Sequence, residues 1–212
     1  MKLPVFKNKN LETLVFYPVP KNANTTAKAL FASIIGVEDK FAYRENIPKH
    51  KRPSETHLMK LGAKPSITGF FMNYEKFAKL NVDFKICIIR NPLERFISAY
   101  ENRVLFHKDR GFFELSIDQV LDELILGNFE NKHFLPQCYF LGEDIHYFTH
   151  VYKINEIHLF YDTLLNYFNV KNKIIIPHLQ TGRSTKITLT KAQMDKVKNI
   201  YIKDYILLDN FL

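Results

Sequence analysis

The chain predicts an α/β fold, and three observations carry that reading. Short apolar runs of strand type alternate with amphipathic helical stretches. Two of those runs, Leu14-Val15-Phe16-Tyr17 and Lys85-Ile86-Cys87-Ile88-Ile89, lead through a polar turn into a helical pattern. Finally, 46% of the 212 residues are hydrophobic, enough for a full core, and no repeat, low-complexity tract or flexible linker divides the sequence. Residues 1–212 are therefore expected to form a single domain.

The elements can be justified in order. The first strand covers about Leu14–Tyr17, and a helix follows from about Asn24 to Ile35, closed by Gly36. A basic segment containing Lys40, Arg44, Lys49, Lys51, Arg52, Lys60 and Lys64 is broken by Pro48, Pro53 and Pro65 and reads as a long loop. It is either a solvated loop or a cover for an anionic ligand. Ser66–Phe70 suggests another strand, Asn73 to Leu80 a short helix, and Phe84–Ile89 a buried strand. Pro92 stands where a helix would begin, a position that tolerates its missing N–H. Phe96, Ile97, Tyr100 and Val104 recur at helical spacing as its buried face, and the helix is expected to reach about Phe106 before Asp109-Arg110-Gly111 breaks it. Ser116 and Gln119 have the spacing of a capping box. Val151–Ile154 reads as a strand followed by a helix through about Tyr167, and Ile174–Ile176 as a short strand ended by Pro177. Thr190 caps a final helix, and the apolar tail from Ile206 should dock on the domain.

The 30 Lys and Arg against 22 Asp and Glu give a formal charge of +8, which implies an anionic ligand or acceptor. The basic residues are dispersed, and no nucleic-acid-binding signature is present, so nucleic acid is not an expected partner. Two cysteines do not make a disulfide framework. Cys87 reads as an apolar filler in its strand, and pairing with Cys138 stays open. Met1 to Asn10 lacks the apolar stretch of a signal peptide, and no run approaches the roughly 20 apolar residues of a membrane span. The expectation is a soluble, cytoplasmic protein.

Two stretches carry chemistry. Pro18-Val19-Pro20-Lys21-Asn22-Ala23-Asn24-Thr25-Thr26 comes directly after the first strand. At such a junction the first N–H groups of the helix lack partners and the helix dipole favours an anion. Lys21 adds a point charge, and Thr25 and Thr26 add hydroxyls, a set suited to phosphate or sulfate. The stretch contains no glycine and is not a G-x-x-x-x-G-K-[ST] loop. In the second stretch, Arg90-Asn91-Pro92-Leu93-Glu94-Arg95-Phe96-Ile97-Ser98-Ala99-Tyr100, Arg90 falls at the carboxyl end of a strand, where open α/β sheets bind ligands. It can grip a phosphate bidentately, with Ser98 donating a hydroxyl. Alternatively, Arg90 pairs with a carboxylate and Ser98 is an ordinary helix-surface residue.

Together these stretches resemble the sulfotransferases that use 3′-phosphoadenosine 5′-phosphosulfate (PAPS), most closely the Golgi-type carbohydrate branch and its bacterial relatives. Pro20 through Thr26 reproduces that family's 5′-phosphosulfate loop, P-K-x-x-x-T/S-[ST], and Arg90 through Tyr100 matches its 3′-phosphate motif, R-[DN]-P-x-x-R-x-x-S-x-[YF], at every constrained position. His133-Phe134-Leu135-Pro136-Gln137 resembles the family's H-[FW]-x-P-Q segment. Pro177 through Ser184 resembles its late H-x-N-x-S stretch, with Gln180 in place of Asn, and Tyr201 through Tyr205 its closing Y-x-x-D-[YF] helix. The resemblance runs from about Leu14 to the C-terminus. It implies a three-layer sandwich like that of the P-loop NTPases, with a central, mostly parallel sheet flanked by helices.

It further implies in-line transfer of a sulfuryl group from PAPS to an acceptor hydroxyl, leaving 3′,5′-adenosine bisphosphate (PAP), without a metal. Lys21 would meet the bridging oxygen and 5′-phosphate, with Asn22, Ala23, Asn24, Thr25 and Thr26 around the same group. Arg90 and Ser98 would hold the 3′-phosphate. Arg183 would be a further clamp, as in the more distant cytosolic sulfotransferases. The acceptor's proton needs a base. The H-G-H stretch of the uronyl 2-O-sulfotransferases corresponds here to Thr68-Gly69-Phe70, without either histidine. His133 leads the remaining candidates, ahead of His57, His107 and Glu101, while Glu94 and Glu101 otherwise fall on a solvated face or pair with Arg95, and Asp204 reads as structural. A carbohydrate or polysaccharide is the expected acceptor, with a small molecule next. The competing readings are a nucleotide-kinase-like enzyme and a non-catalytic polyanion-binding protein.

Overall fold

The structure is a computed structural model that describes residues 6–34, 73–171 and 187–211. The closing Gly36, the basic segment with His57, the expected strands Ser66–Phe70 and Ile174–Ile176, and the stretch carrying Arg183 lie outside the described residues. The described chain groups into two compact units. The first holds residues 6–19, 23–34, 73–89 and 146–171, and the second residues 20–22, 90–145 and 187–211.

The first unit is a mixed α/β unit built on a four-stranded sheet. Strand β1 (Phe6–Lys7) pairs antiparallel with β2 (Thr13–Tyr17), β2 pairs parallel with β3 (Phe84–Ile89), and β3 pairs parallel with β4 (His150–Lys153). The register sets Leu14 opposite Phe84 and Ile86 opposite His150. Parallel strands covered on both faces have no polar side to present, which explains why β2 and β3 read as unbroken apolar runs. Alternation divides their residues between two layers. Leu14, Phe16, Ile86 and Ile88 pack with residues of helix α1 (Asn24–Ile34) and of a later helix that contains Phe160 and Leu164. On the opposite face Tyr17 meets Phe77 of the short helix α2 (Tyr74–Ala78), ring centroids 4.6 Å apart, and Phe148 at 6.1 Å. Cys87 is fully buried in β3, and both cysteines are free thiols.

Helix α3 (Pro92–Tyr100) opens the second unit as its sequence predicts. Asn91 Oδ1 accepts the Leu93 N–H at 3.0 Å, and Pro92 takes the first turn. The expected helix to Phe106 ends its α-geometry at Tyr100 and continues as a π-helical turn over Glu101–Phe106. There His107 N–H reaches back five residues to the Asn102 carbonyl. A π-turn keeps the chain helical while rotating the residues beyond it, so the apolar pattern alone does not betray it. Helix α4 (Ile117–Ile125) carries the Ser116–Gln119 capping box. Helix α5 (Gln137–Leu141) comes next, and the chain then returns to the first unit, where α6 (Ile157–Phe168) is the helix packed on the sheet. Thr190 caps α7 (Lys191–Ile200). The expected single final helix divides at Tyr201, whose φ of −106° leaves helical geometry, and α8 (Ile202–Leu207) ends the unit before a 3₁₀ turn. Tyr201 is instead a core residue: it lies among Phe96, Phe134 and Val197, and its hydroxyl donates to the Phe134 carbonyl at 2.8 Å. Of the tail, Leu208 is buried while Ile206 is 71% exposed. No described helix is long and apolar enough to cross a membrane.

Candidate active site

Within the second unit, Pro20–Asn22 of the first chemistry-bearing stretch meets Arg90 and Arg95 of the second. Arg95, fully buried, donates from Nε to the Pro20 carbonyl at 2.9 Å. Arg90 Nη1 reaches the Lys21 carbonyl at 3.4 Å. Two arginines of the Arg90–Tyr100 stretch thus hold the backbone of the Lys21 stretch. Lys21 has φ +69° and Ala23 φ +52°, both left-handed although neither is glycine. Left-handed backbone costs such residues roughly 1–2 kcal/mol each, so the surrounding contacts must enforce it. Positive φ on either side of Asn22 is a conformation that turns successive N–H groups toward a common centre, a habit of anion-binding loops.

Gln137 holds the assembly from the other side. Its Oε1 accepts from Asn22 Nδ2 at 2.7 Å and from the Arg90 N–H at 3.1 Å, while its Nε2 donates to the Arg90 carbonyl at 2.7 Å. Asp204 accepts the backbone N–H groups of Gln137 and Cys138 at 2.7 and 2.8 Å, so its carboxylate caps α5. The structural role read for Asp204 is the observed one. Burial raises its pKa, against these bonds and the attraction of Arg95.

The electrostatics are those of a cation cluster. Burial, and then repulsion from Arg103 and Arg90, lowers the Lys21 pKa from 10.5 to about 7, with Glu101 pulling the other way and Arg95 adding to the repulsion. Glu94 pairs with Arg90 at 3.5 Å, and not with Arg95. Glu94 reaches Arg90 through Nε, whereas the buried Arg95 Nη2 has no hydrogen-bond partner among the described residues. Buried donors normally find acceptors, so an arrangement of this kind suits a ligand rich in anionic oxygens. Ser98 is partly exposed on α3, and Glu94, Ser98 and Glu101, spaced four and three apart, share one helix face. Glu101 titrates above its ordinary range through partial burial, opposed by Lys21 and Arg90.

His133 lies in the same unit. Burial first, then Arg103, Lys21, Lys132 and Arg95, push its pKa down to about 2, so the ring is neutral. His107 is buried, its ring 4.7 Å from that of Phe106. Asn24, Thr25 and Thr26 form the first turn of α1 in the first unit. The Ala23 carbonyl accepts the Ala27 N–H at 2.9 Å, which leaves the N–H groups of Asn24, Thr25 and Thr26 without intrahelical acceptors.

Sequence reasoning missed four working parts: the carbonyl grip of Arg95, the buried Arg103–Asp109 pair at 2.6 Å, the Gln137 hub, and Asn131, which bonds both Asp109 and His133. Arg95 and Gln137 occupy constrained motif positions, which was a signal. Asp109 and Asn131 offered none. No curated protein and no solved structure matches the chain. The family described as "Sulfotransferase family" does match, over residues 6–209. With nearly the whole sequence covered, the chain belongs to the sulfotransferase family.

Proposed function

We propose that this protein transfers a sulfuryl group from PAPS to an acceptor hydroxyl on a carbohydrate or polysaccharide. One observation carries the reading: Arg90 and Arg95 grip the Pro20 and Lys21 carbonyls, which sets two cationic motifs of a sulfotransferase side by side. The buried, unpartnered Arg95 Nη2 and the depressed Lys21 pKa fit a polyanionic nucleotide. PAPS would supply the activated sulfuryl group. In this reading Lys21 neutralises charge as it develops on the departing 5′-phosphate, a role worth roughly 10²–10³ in rate for one such donor. Asn22, Ala23, Asn24, Thr25 and Thr26 surround that phosphate, Arg90 and Ser98 hold the 3′-phosphate, and Arg183 is a further clamp. His133 takes the acceptor's proton.

The same reading makes the sheet and its helices the core of a P-loop-like sandwich. It treats the two units as parts of one domain, since neither is continuous in sequence and the family match spans both. The +8 charge supports an anionic acceptor such as an acidic polysaccharide. The test is transfer of radiolabelled sulfate from PAPS to a panel of polysaccharides. Label on a glycan with wild type, and none with Lys21→Ala, is the expected result. No transfer from PAPS to any hydroxyl, or transfer from ATP instead, overturns it.

A further inference from the structure

A continuous hydrogen-bonded chain runs from the π-helical turn to His133. Arg103 Nε donates to Asp109 Oδ2 at 2.6 Å, and both side chains are buried. The same oxygen accepts a second bond, from Asn131 Nδ2 at 2.8 Å. A carboxylate paired with a guanidinium is ionised and can only accept. Asn131 therefore turns its NH₂ toward Asp109 and its amide oxygen the other way. That oxygen accepts the His133 backbone N–H at 3.2 Å and stands 2.9 Å from His133 Nδ1. Flipping the amide would set oxygen against carboxylate and NH₂ against N–H, two repulsions in place of two bonds. Since the Asn131 oxygen has no hydrogen to give, Nδ1 must carry one. A neutral imidazole has one ring hydrogen, so Nε2 keeps its lone pair.

We propose that Asn131, oriented by Asp109 and Arg103, is a positioning residue that holds His133 in the Nδ1–H form, leaving Nε2 to take the proton of the acceptor hydroxyl. This rests on the sulfotransferase reading. As the acceptor oxygen bonds to sulfur, its hydrogen passes to Nε2. The bond from sulfur to the 5′-phosphate oxygen breaks, and its electron pair leaves with PAP. The imidazolium then returns its proton to water. A neutral ring is a precondition for this role, and burial first, then the cations Arg103, Lys21, Lys132 and Arg95, enforce it. The phosphates of a bound nucleotide would offset those cations and make Nε2 more basic when the donor is present.

The test is ¹⁵N NMR of the ring nitrogens in protein labelled at histidine, with the His133 signals identified by their loss in His133→Gln. The proposal expects a protonated Nδ1 and an unprotonated Nε2 in wild type, and a mixture of tautomers in Asn131→Ala. In PAPS turnover, Asn131→Ala should lose at least about tenfold in kcat while its PAP affinity stays within about twofold, the pattern of a misdirected base. An Nε2–H tautomer in wild type overturns the proposal, and so does an Asn131→Ala variant with unchanged tautomer and kcat. The wild-type spectrum decides the tautomer even if the variant does not fold. It also separates two failures: wild type that shows the Nδ1–H form yet does not bind PAP sinks the sulfotransferase reading, and with it the base, but not the orientation by Asn131.

Discussion

The two units bury different chemistry. The core of the first is aliphatic and aromatic: Phe16, Phe31, Tyr152 and Phe160 pack with Leu14, Ile86 and Ile88. The buried polar and charged residues of the described chain, Asn22, Arg95, Arg103, His107, Asp109, Gln137 and Asp204, all belong to the second. Burying ions costs stability unless each finds partners, and an apolar replacement is often no less stable. A unit that keeps so many has been shaped by something other than stability. The described core of the first unit is apolar scaffold, and the second unit holds the buried cations.

That contrast can be broken at either end. The largest expected effect is in the scaffold. Phe160, buried against Phe16 at 5.6 Å and Tyr152 at 5.7 Å, should cost about 3–5 kcal/mol of unfolding free energy when replaced by Ala. Denaturant titration measures the loss, and the PAP affinity of the folded fraction should not change. Lys21→Ala should do the reverse, with a kcat about 10²–10³ lower in PAPS turnover and a thermal midpoint no lower than that of wild type. Stability losses from both substitutions, or rate losses from both, would erase the division between scaffold and site.

The scaffold was also the more legible half. β2 and β3 could be read because burial on both faces demands unbroken apolar runs, and the caps at Ser116 and Thr190 because capping uses side chains three or fewer residues from their targets. The two-residue β1 has no period to detect. In the second unit, Lys21 and Arg90 were named from motifs, yet their environment depends on bonds spanning 47 to 115 residues, such as those of Gln137, which no local pattern encodes. The pairing of Glu94 with Arg90 obeys the same logic: Arg95 was already committed to Pro20.

Arg90→Ala sharpens the comparison further. Losing a charge-assisted bond of about 1.5–3 kcal/mol should weaken PAP about 10- to 150-fold in calorimetry while ADP, which lacks the 3′-phosphate, changes far less. Equal losses for both nucleotides would remove the 3′-phosphate assignment.

The smallest expected effect is a proton. Lys21 titrates near 7 when folded and near 10.5 in its ordinary state. Below about pH 7 the lysine is charged in both the folded and unfolded chain, and the cost of burying that charge is fully present. Between about 7 and 10.5 the unfolded chain binds more protons, so unfolding free energy rises with pH and the cost is relieved. Lys21→Met should flatten that rise. The phosphates of PAP should restore the charged lysine, so at about pH 8 binding should take up close to one proton, read from calorimetry in buffers of different ionisation heat. Equal uptake by Lys21→Met would assign the proton elsewhere.

The central claim is that the buried cations of the second unit hold a nucleotide carrying a 3′-phosphate. Titration of the wild-type protein with PAP, and with ADP at matched salt, tests it most directly. The account predicts that PAP binds at least about tenfold more tightly, the worth of one charge-assisted contact. Equal affinity, or no binding of PAP, would contradict it.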